Sequence, residues 1–325
     1  MSRVELLYEW LAADASPEVD RILAAGLVHA DAPYAARIAA LLLERGNTSA
    51  WGALIANYDR LGPELRAAIL VRPELVRAGV SDVLRGRAPD AVPSALNLLL
   101  DHPCPLVAEL VAETLRHSSP HVRDLAARVL RATAEQVFPL EPALSAGPQQ
   151  AARWSVGEYH ALAAGLRSGL RTFDAHHRLD VLEACLWFAP QIGSALWDML
   201  GDRRARSGHV VTQNLTIWNG PRLAGFLLLA LGQPTWRRSA ARLLAGWNTR
   251  AHMLAMLGCS DLLARPGVRR SLRLMRRPAW LAAAAADLSD LPPSMRASVP
   301  AWICHLGFSD EARLRYLDRW RRSFR

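Results

Sequence analysis

The strongest constraint on the fold of this chain is a helical apolar period that is interrupted about every 15 residues. Apolar residues recur at the spacing i, i+3, i+4 and i+7, which is typical of a helix with one buried face. Pro, Gly, Ser or Asp interrupts each of these segments. Runs of β-branched residues with a period of two do not occur, apart from the ambiguous segment 209–218. We therefore predict an all-α chain of short helices that pack as antiparallel hairpins.

Helix starts are predicted where proline or an N-capping residue precedes an apolar period. Proline suits the first helical turn because its missing N–H and its fixed φ cost nothing there. The predicted starts lie near Ser16, Pro33, Thr48, Pro63, Pro73, Pro89, Pro103, Ser119, Asp174, Gly193, Pro221, Pro234, Asn248, Pro266, Pro278, Pro293 and Ser309. The polar, basic segment 201–211 is predicted to be a loop.

Five of these segments share a common pattern. Each has a proline, an apolar residue two positions later, an arginine three positions later and a small or apolar residue six positions later. They begin at Pro63 (PELRAAIL), Pro120 (PHVRDLAARVL), Pro234 (PTWRRSAARLL), Pro266 (PGVRRSLRLM) and Pro293 (PSMRASVPAW). The prolines are 57, 114, 32 and 27 residues apart. These spacings fit a repeated unit of about 28–30 residues, the length of two helices.

The Pro120 segment resembles the second helix of HEAT and HEAT-like repeats, which typically runs P-x-V-R-x-x-A-x-x-x-L. The other four segments are degenerate copies, and the resemblance covers about 70% of the chain. It implies a right-handed α-solenoid, a HEAT-like superhelix of stacked antiparallel helix hairpins that usually binds partners on its concave face. It implies no activity, because most members of the family are scaffolds with unrelated partners.

The arginine of the repeated pattern is expected to be structural. Its aliphatic stem can pack along the neighbouring hairpin while its head group satisfies polar groups of the turn. Mutation of Arg123 is therefore expected to affect stability more than binding. The five arginines in question are Arg66, Arg123, Arg237, Arg269 and Arg296.

Charge divides the chain unevenly. The formal net charge is +9, and all 39 basic side chains are arginine. Residues 1–200 hold 18 Arg and 23 acidic residues, whereas residues 201–325 hold 21 Arg and 7 acidic residues. We predict net-acidic repeats over 1–138, a Pro-rich linker or inter-repeat loop over 139–150, and net-basic repeats over 151–325. The basic half should attract nucleic acid, acidic protein or anionic lipid head groups.

The densest basic segment is RPGVRRSLRLMRRPAW, residues 265–280. On a helix its five inner arginines fall within an arc of about 120°, where they would repel one another unless an anion compensates. The alternative is a solvated face of an Arg-rich protein. The predicted anion- or partner-binding residues are Arg237, Arg238, Arg269, Arg270, Arg273, Arg276 and Arg277.

Nine of the 11 tryptophans follow residue 150, and several lie beside arginines. Interleaved arginines and aromatic rings can bind single-stranded nucleic acid by tracking its backbone and stacking its bases. However, Trp236 and Trp247 also fit the helical spacing of core residues. We expect most of the tryptophans to be core.

No catalytic or metal motif is recognisable. The four cysteines have no C-x-x-C spacing, which favours free, mostly buried thiols in a reducing cytoplasm. His176 and Asp180 lie one helical turn apart but lack further ligands, so no metal or cofactor is expected. Glu5 and Glu9 argue against a signal peptide. The longest apolar run, 223–232, is about half a membrane span, so no transmembrane segment is expected.

Two functions follow as hypotheses. The leading one is a non-enzymatic, cytoplasmic scaffold or adaptor that binds a protein partner, expected to be acidic where it meets the basic half. The alternative is a solenoid that binds DNA or RNA through its basic C-terminal half. HEAT-like DNA glycosylases belong to that class, but none of their functional residues can be matched to this chain residue by residue.

Overall fold

The computed structural model describes residues 3–14, 16–29, 32–86, 89–137, 154–202, 206–275, 291 and 293–322. Over these residues the regular structure is entirely helical, without a β-strand. The prediction of an all-α chain is therefore confirmed for the described residues. The segment 139–150, the helix start near Pro278, and the candidate residues Arg276 and Arg277 lie outside them.

The described residues form 21 α-helices and six short 3₁₀ helices. The first ten α-helices are α1 (Arg3–Ala13), α2 (Pro17–His29), α3 (Ala32–Arg45), α4 (Thr48–Ala56), α5 (Pro63–Ile69), α6 (Pro73–Arg85), α7 (Val92–Asp101), α8 (Ala108–Glu113), α9 (Pro120–Val137) and α10 (Val156–Arg171). The next are α11 (Phe173–His176), α12 (Leu179–Trp187), α13 (Ala189–Ile192), α14 (Ser194–Gly201), α15 (Arg206–Asn214), α16 (Ala224–Leu231), α17 (Arg237–Gly246), α18 (Arg250–Gly258), α19 (Pro266–Leu272), α20 (Pro293–His305) and α21 (Asp310–Arg322). The 3₁₀ helices are Tyr58–Arg60, Pro89–Ala91, Pro105–Val107, Thr114–Arg116, Pro221–Leu223 and Ser260–Ala264.

The predicted start signals begin helices in the structure. Six prolines are the first residue of an α-helix: Pro17, Pro63, Pro73, Pro120, Pro266 and Pro293. Side-chain caps act at four further starts, where Asn47, Ser155, Thr249 and Ser309 accept hydrogen bonds from main-chain N–H groups of the first turn. Asn47 accepts a hydrogen bond from the Ala50 N–H (2.8 Å) before α4, and Thr249 accepts one from the His252 N–H (3.3 Å) before α18. These caps pair amide groups that the first helical turn would otherwise leave without partners.

The prediction of a loop over 201–211 is wrong for residues 206–211, which lie in α15. The helix forms because Ser207 and Val211, one turn apart, are both buried. Gly208 also allows a close approach to α14: a Cβ added there would lie 2.4 Å from the Leu200 carbonyl oxygen. Packing against α14 thus stabilises a helix whose composition is typical of a loop.

The contacts within the chain divide it into two compact units. The first comprises residues 1–133 and 164–180, and the second comprises residues 134–163 and 181–325. The first unit carries 17 Arg and 18 acidic residues, a net charge of −1. The second carries 22 Arg and 12 acidic residues, a net charge of +10. Attraction for anions is therefore expected from the second unit.

The centre of the second unit is α16, in which every residue from Ala224 to Leu231 is buried. Helices α13, α17, α18 and α19 pack against it. The most apolar run of the sequence is thus the core of a helical unit. Over the described residues, no helix combines the length and the apolar character needed to cross a bilayer.

Candidate functional site

The recurring arginine binds the main chain of the preceding turn in four of its five copies. The acceptors are the carbonyl oxygens of Tyr58 and Asp59 for Arg66 (3.1 and 2.9 Å), of His117 and Ser118 for Arg123 (2.7 and 2.9 Å), of Leu231 for Arg237 (3.1 Å) and of Leu291 for Arg296 (3.0 Å). A guanidinium suits this task because its donors form a fixed fork that can reach adjacent carbonyls. The expectation that its head group satisfies polar groups of the turn is confirmed for these four copies, and its contribution to stability stays a prediction.

Arg269 is the exception. Its side chain is exposed, and no hydrogen bond or ion pair joins it to another described residue. The same is true of Arg270 and Arg273, which follow it. Helix α19 is held instead by buried Val268 and Leu272. The fourth copy therefore keeps the backbone framework of the pattern while its arginine remains on the surface.

Helix α17 presents a second group of arginines. Arg238 and Arg242, one helical turn apart, are exposed, and their side chains make no hydrogen bond or ion pair within the described part of the chain. Arg237 is half-buried and is bound to the Leu231 carbonyl. That same carbonyl accepts a hydrogen bond from the Ser271 hydroxyl (2.8 Å), so the start of α17 lies beside α19.

Carboxylates are scarce around these arginines. Residues 206–275 contain ten arginines and a single acidic residue, Asp261. Seven of these ten arginines are exposed, and we refer to five of them, Arg238, Arg242, Arg269, Arg270 and Arg273, as the five exposed arginines. Because no carboxylate of the described residues forms an ion pair with them, their positive potential is available to an external anion.

His305, the last residue of α20, lies close to Arg269 of α19 and to Arg273, which directly follows that helix. Burial lowers its pKa below the ordinary value, and the charges of Arg269 and Arg273 lower this pKa further. The contact depends on Gly307, whose N–H donates to the Met275 carbonyl (3.1 Å). A Cβ added at Gly307 would lie 2.1 Å from the Arg273 carbonyl oxygen, so only glycine allows this approach.

Sequence reasoning missed His305. No motif connects it to α19, and the residues between them include the undescribed segment 276–290. The one sequence signal that could have placed His305 near Arg273 is the length of the repeat. A unit of about 28–30 residues places each copy of a helix beside the next, and Arg273 precedes His305 by 32 residues.

The tryptophans near the basic segment are core residues. Trp236, Trp247 and Trp302 are buried. The Trp247 indole stacks on His252 with ring centroids 4.5 Å apart, and its N–H donates to Asn219 (2.7 Å). Among the described residues from 206 onward, the exposed large apolar side chains are Ile217, Leu274 and Leu314, none of which is aromatic. The expectation that these tryptophans are core is confirmed.

The groups considered for metal binding have structural partners. The His176 ring is buried; its Nε2 donates to the Gly169 carbonyl (2.9 Å) and its Nδ1 accepts the Arg178 N–H (2.9 Å). Asp180 pairs with Arg131 at 2.6 Å. Within the described ranges, no three His, Cys, Asp or Glu side chains are grouped as metal ligands would be.

None of the four cysteines forms a disulfide. Cys185 is buried, Cys104 and Cys259 are half-buried, and Cys304 is exposed. Burial raises the pKa of Cys185, and burial together with Asp261 raises the pKa of Cys259 to about 12. Thiols with raised pKa values are poor nucleophiles at neutral pH.

Comparison with known proteins adds no assignment. No protein-family model, no curated protein and no solved structure matches this chain.

Proposed function

We propose that this protein is a non-enzymatic scaffold built of HEAT-like repeats, and that its second unit binds an acidic segment of a partner protein. The observation that carries the proposal is the set of five exposed arginines, whose side chains have neither a hydrogen bond nor an ion pair within the described chain. They lie in a stretch with ten arginines and one carboxylate. An acidic partner would supply the missing negative charge.

The HEAT-like part of the proposal is supported by the repeated local structure. Four of the five copies begin an α-helix at the proline of the pattern. Four place the arginine on carbonyls of the preceding turn. A short helix with a large apolar face is stable only when it stacks on its neighbours. We therefore propose that the hairpins stack as a solenoid.

Electrostatics explains how such a surface would select its partner. Like charges on adjacent helical turns, such as Arg238 with Arg242 and Arg269 with Arg273, repel each other by a few tenths of a kcal/mol per pair. A bound anion removes this repulsion and adds attraction of its own. Clustered charges also steer an oppositely charged partner during its approach, so association should weaken as salt is added.

A protein partner is favoured over single-stranded nucleic acid because none of the large apolar side chains that are exposed in the described part of the second unit from residue 206 onward is aromatic. Non-specific binding of single strands combines basic residues with aromatic rings on which the bases stack. The tryptophans beside these arginines, Trp236 and Trp247, are buried in the core of the second unit. A basic surface without exposed aromatic rings suits an acidic protein segment better than it suits single-stranded nucleic acid.

The test is the binding of fluorescently labelled poly-L-glutamate at low salt, measured by anisotropy. The double variant Arg238→Glu/Arg270→Glu should weaken binding by about tenfold or more, since each change replaces attraction by repulsion. The matched control is Arg319→Glu/Arg321→Glu on α21. It changes the net charge equally, at exposed arginines that form no ion pair in the described chain. Its affinity should stay within about twofold of wild type.

Three results would contradict the proposal. Absence of binding at low salt would remove its basis. Equal losses in both variants would mean that net charge alone is responsible. Tighter binding of duplex DNA than of polyglutamate would favour the nucleic-acid alternative, especially with an affinity that falls by about 0.9 log units per log unit of salt for each phosphate contact.

A further inference from the structure

Arg269, Arg273 and His305 belong to two elements of the second unit that pack against each other, helix α19 with the turn after it and the end of α20. Arg269 and Arg273 are one helical turn apart and exposed, whereas His305 is half-buried on α20. Helix α20 packs against α18, α19, α21 and the 3₁₀ helix Ser260–Ala264. Besides burial, the positive charges of Arg269 and Arg273 lower the pKa of His305.

Main-chain contacts beside Arg273 and His305 hold these two parts of the chain together. The hydrogen bond from Gly307 to Met275 joins the end of α20 to the turn after α19. The bare Cα of Gly307 lies against the carbonyl of Arg273. Because both contacts involve main-chain atoms, they hold α19 and α20 together whatever the positions of the long arginine side chains.

The chemistry of this group suits a doubly charged oxyanion. Two guanidiniums beside an imidazole offer several N–H donors and two or three positive charges, depending on the protonation of His305. A carboxylate would neutralise only one of these charges. A phosphate monoester carries about −1.5 to −2 charges at pH 7 and three acceptor oxygens. It would bind all three side chains through charge-assisted hydrogen bonds.

We propose that Arg269, Arg273 and His305 form a binding site for a phosphate monoester, and that the acidic partner segment is phosphorylated. The inference rests on the proposed function, because it names the modification that the partner carries where it meets α19 and α20. A phosphodiester of nucleic acid has a single charge, which matches the site less well than a monoester does.

The test follows His305 by NMR in the full-length protein, with inorganic phosphate as the probe. Phosphate in excess should raise the pKa of His305 by on the order of one unit, because the bound anion offsets the two guanidinium charges. His252, the matched control, is half-buried with a pKa lowered by burial alone. Its pKa should not respond to phosphate.

The variant Arg269→Gln/Arg273→Gln separates the site from a general salt effect. Without phosphate, its His305 should have a higher pKa than in wild type, because two nearby positive charges are gone. Added phosphate should then leave this pKa unchanged. An unmoved His305 in wild type, an equal shift of His252, or an equal response in the variant would each overturn the site.

A second arm identifies the source of the phosphate and separates the two proposals. A short acidic peptide with one phosphoserine should bind wild type at least about tenfold more tightly than its unphosphorylated form. Displacement of this peptide by duplex DNA at lower concentration would overturn the assignment to a phosphoprotein.

If polyglutamate binds but phosphate does not change the pKa of His305, this inference fails and the proposed function stands. If phosphate moves His305 but no acidic polypeptide binds, the phosphate site stands and the scaffold proposal fails.

Discussion

Replacement of Arg123 by alanine tests the structural role of the repeated arginine. The Arg123 guanidinium donates from Nη1 to the carbonyls of His117 (2.7 Å) and Ser118 (2.9 Å), which lie in the turn before α9. A hydrogen bond from a charged donor contributes about 1.5–3 kcal/mol when buried. Arg123 is half-buried and Ser118 is exposed, so both bonds compete with water. We expect Arg123→Ala to lower the free energy of unfolding by about 2 kcal/mol.

The assay is urea denaturation followed by circular dichroism, with Arg128→Ala as the matched control. Arg128 lies in the same helix, is exposed and makes no hydrogen bond or ion pair within the described residues. Arginine and alanine have similar helix propensities, so the control should stay within about 0.5 kcal/mol of wild type. If Arg123→Ala and Arg128→Ala differ by less than about 0.5 kcal/mol, the role assigned to the repeated arginine is refuted.

Two further predictions concern packing and pH. A Cβ at Gly165 would lie 2.5 Å from the carbonyl carbon of Ala108, so Gly165→Ala should destabilise the protein by about 1–3 kcal/mol. In the same helix, Gly157→Ala meets only ordinary contacts and should be neutral or stabilising by up to about 1 kcal/mol; urea denaturation of both variants compares them, and equal values would contradict the packing. Burial lowers the pKa of His176 in the folded state, so the unfolded chain binds the proton more readily. Stability should therefore fall as the pH drops below about 6.5 and should not depend on this group above that value. Denaturation of His176→Gln at pH 7 and pH 5 should show a smaller drop than wild type, and an unchanged drop would contradict the assignment.

Much of the local structure could be predicted because its signals are local. Pro63, Pro120 and Pro266 each begin a helix because the fixed φ of proline suits the first turn. The helix that begins at Thr48 is capped by the preceding residue, Asn47. Neither effect depends on distant residues. The error at 206–211 has the opposite origin. There, the burial of Val211 and the contact of Gly208 with Leu200 decide the structure, and both depend on another helix.

The sequence predicts that the candidate site is basic, but it does not predict which arginines bind the main chain and which remain exposed. Arg237 and Arg269 occupy the same position of the repeated pattern, so the pattern predicts the same role for both. In the structure, a carbonyl of Leu231 lies within reach of Arg237, whereas no described acceptor binds Arg269. This difference depends on the path of each turn. His305 could not be predicted as a neighbour of α19 because a main-chain contact of Gly307 with Met275, in the turn after α19, brings them together.

The central claim is that equivalent arginines of the repeat serve different purposes, with Arg237 supporting a turn and Arg269 binding the partner. The most direct test measures two quantities for each of Arg237→Ala and Arg269→Ala: the free energy of unfolding and the affinity for polyglutamate. Arg237→Ala should lose about 1 kcal/mol of stability and keep its affinity. Arg269→Ala should keep its stability and lose several-fold in affinity. If both variants lose affinity with unchanged stability, or both lose stability with unchanged affinity, the claim is contradicted.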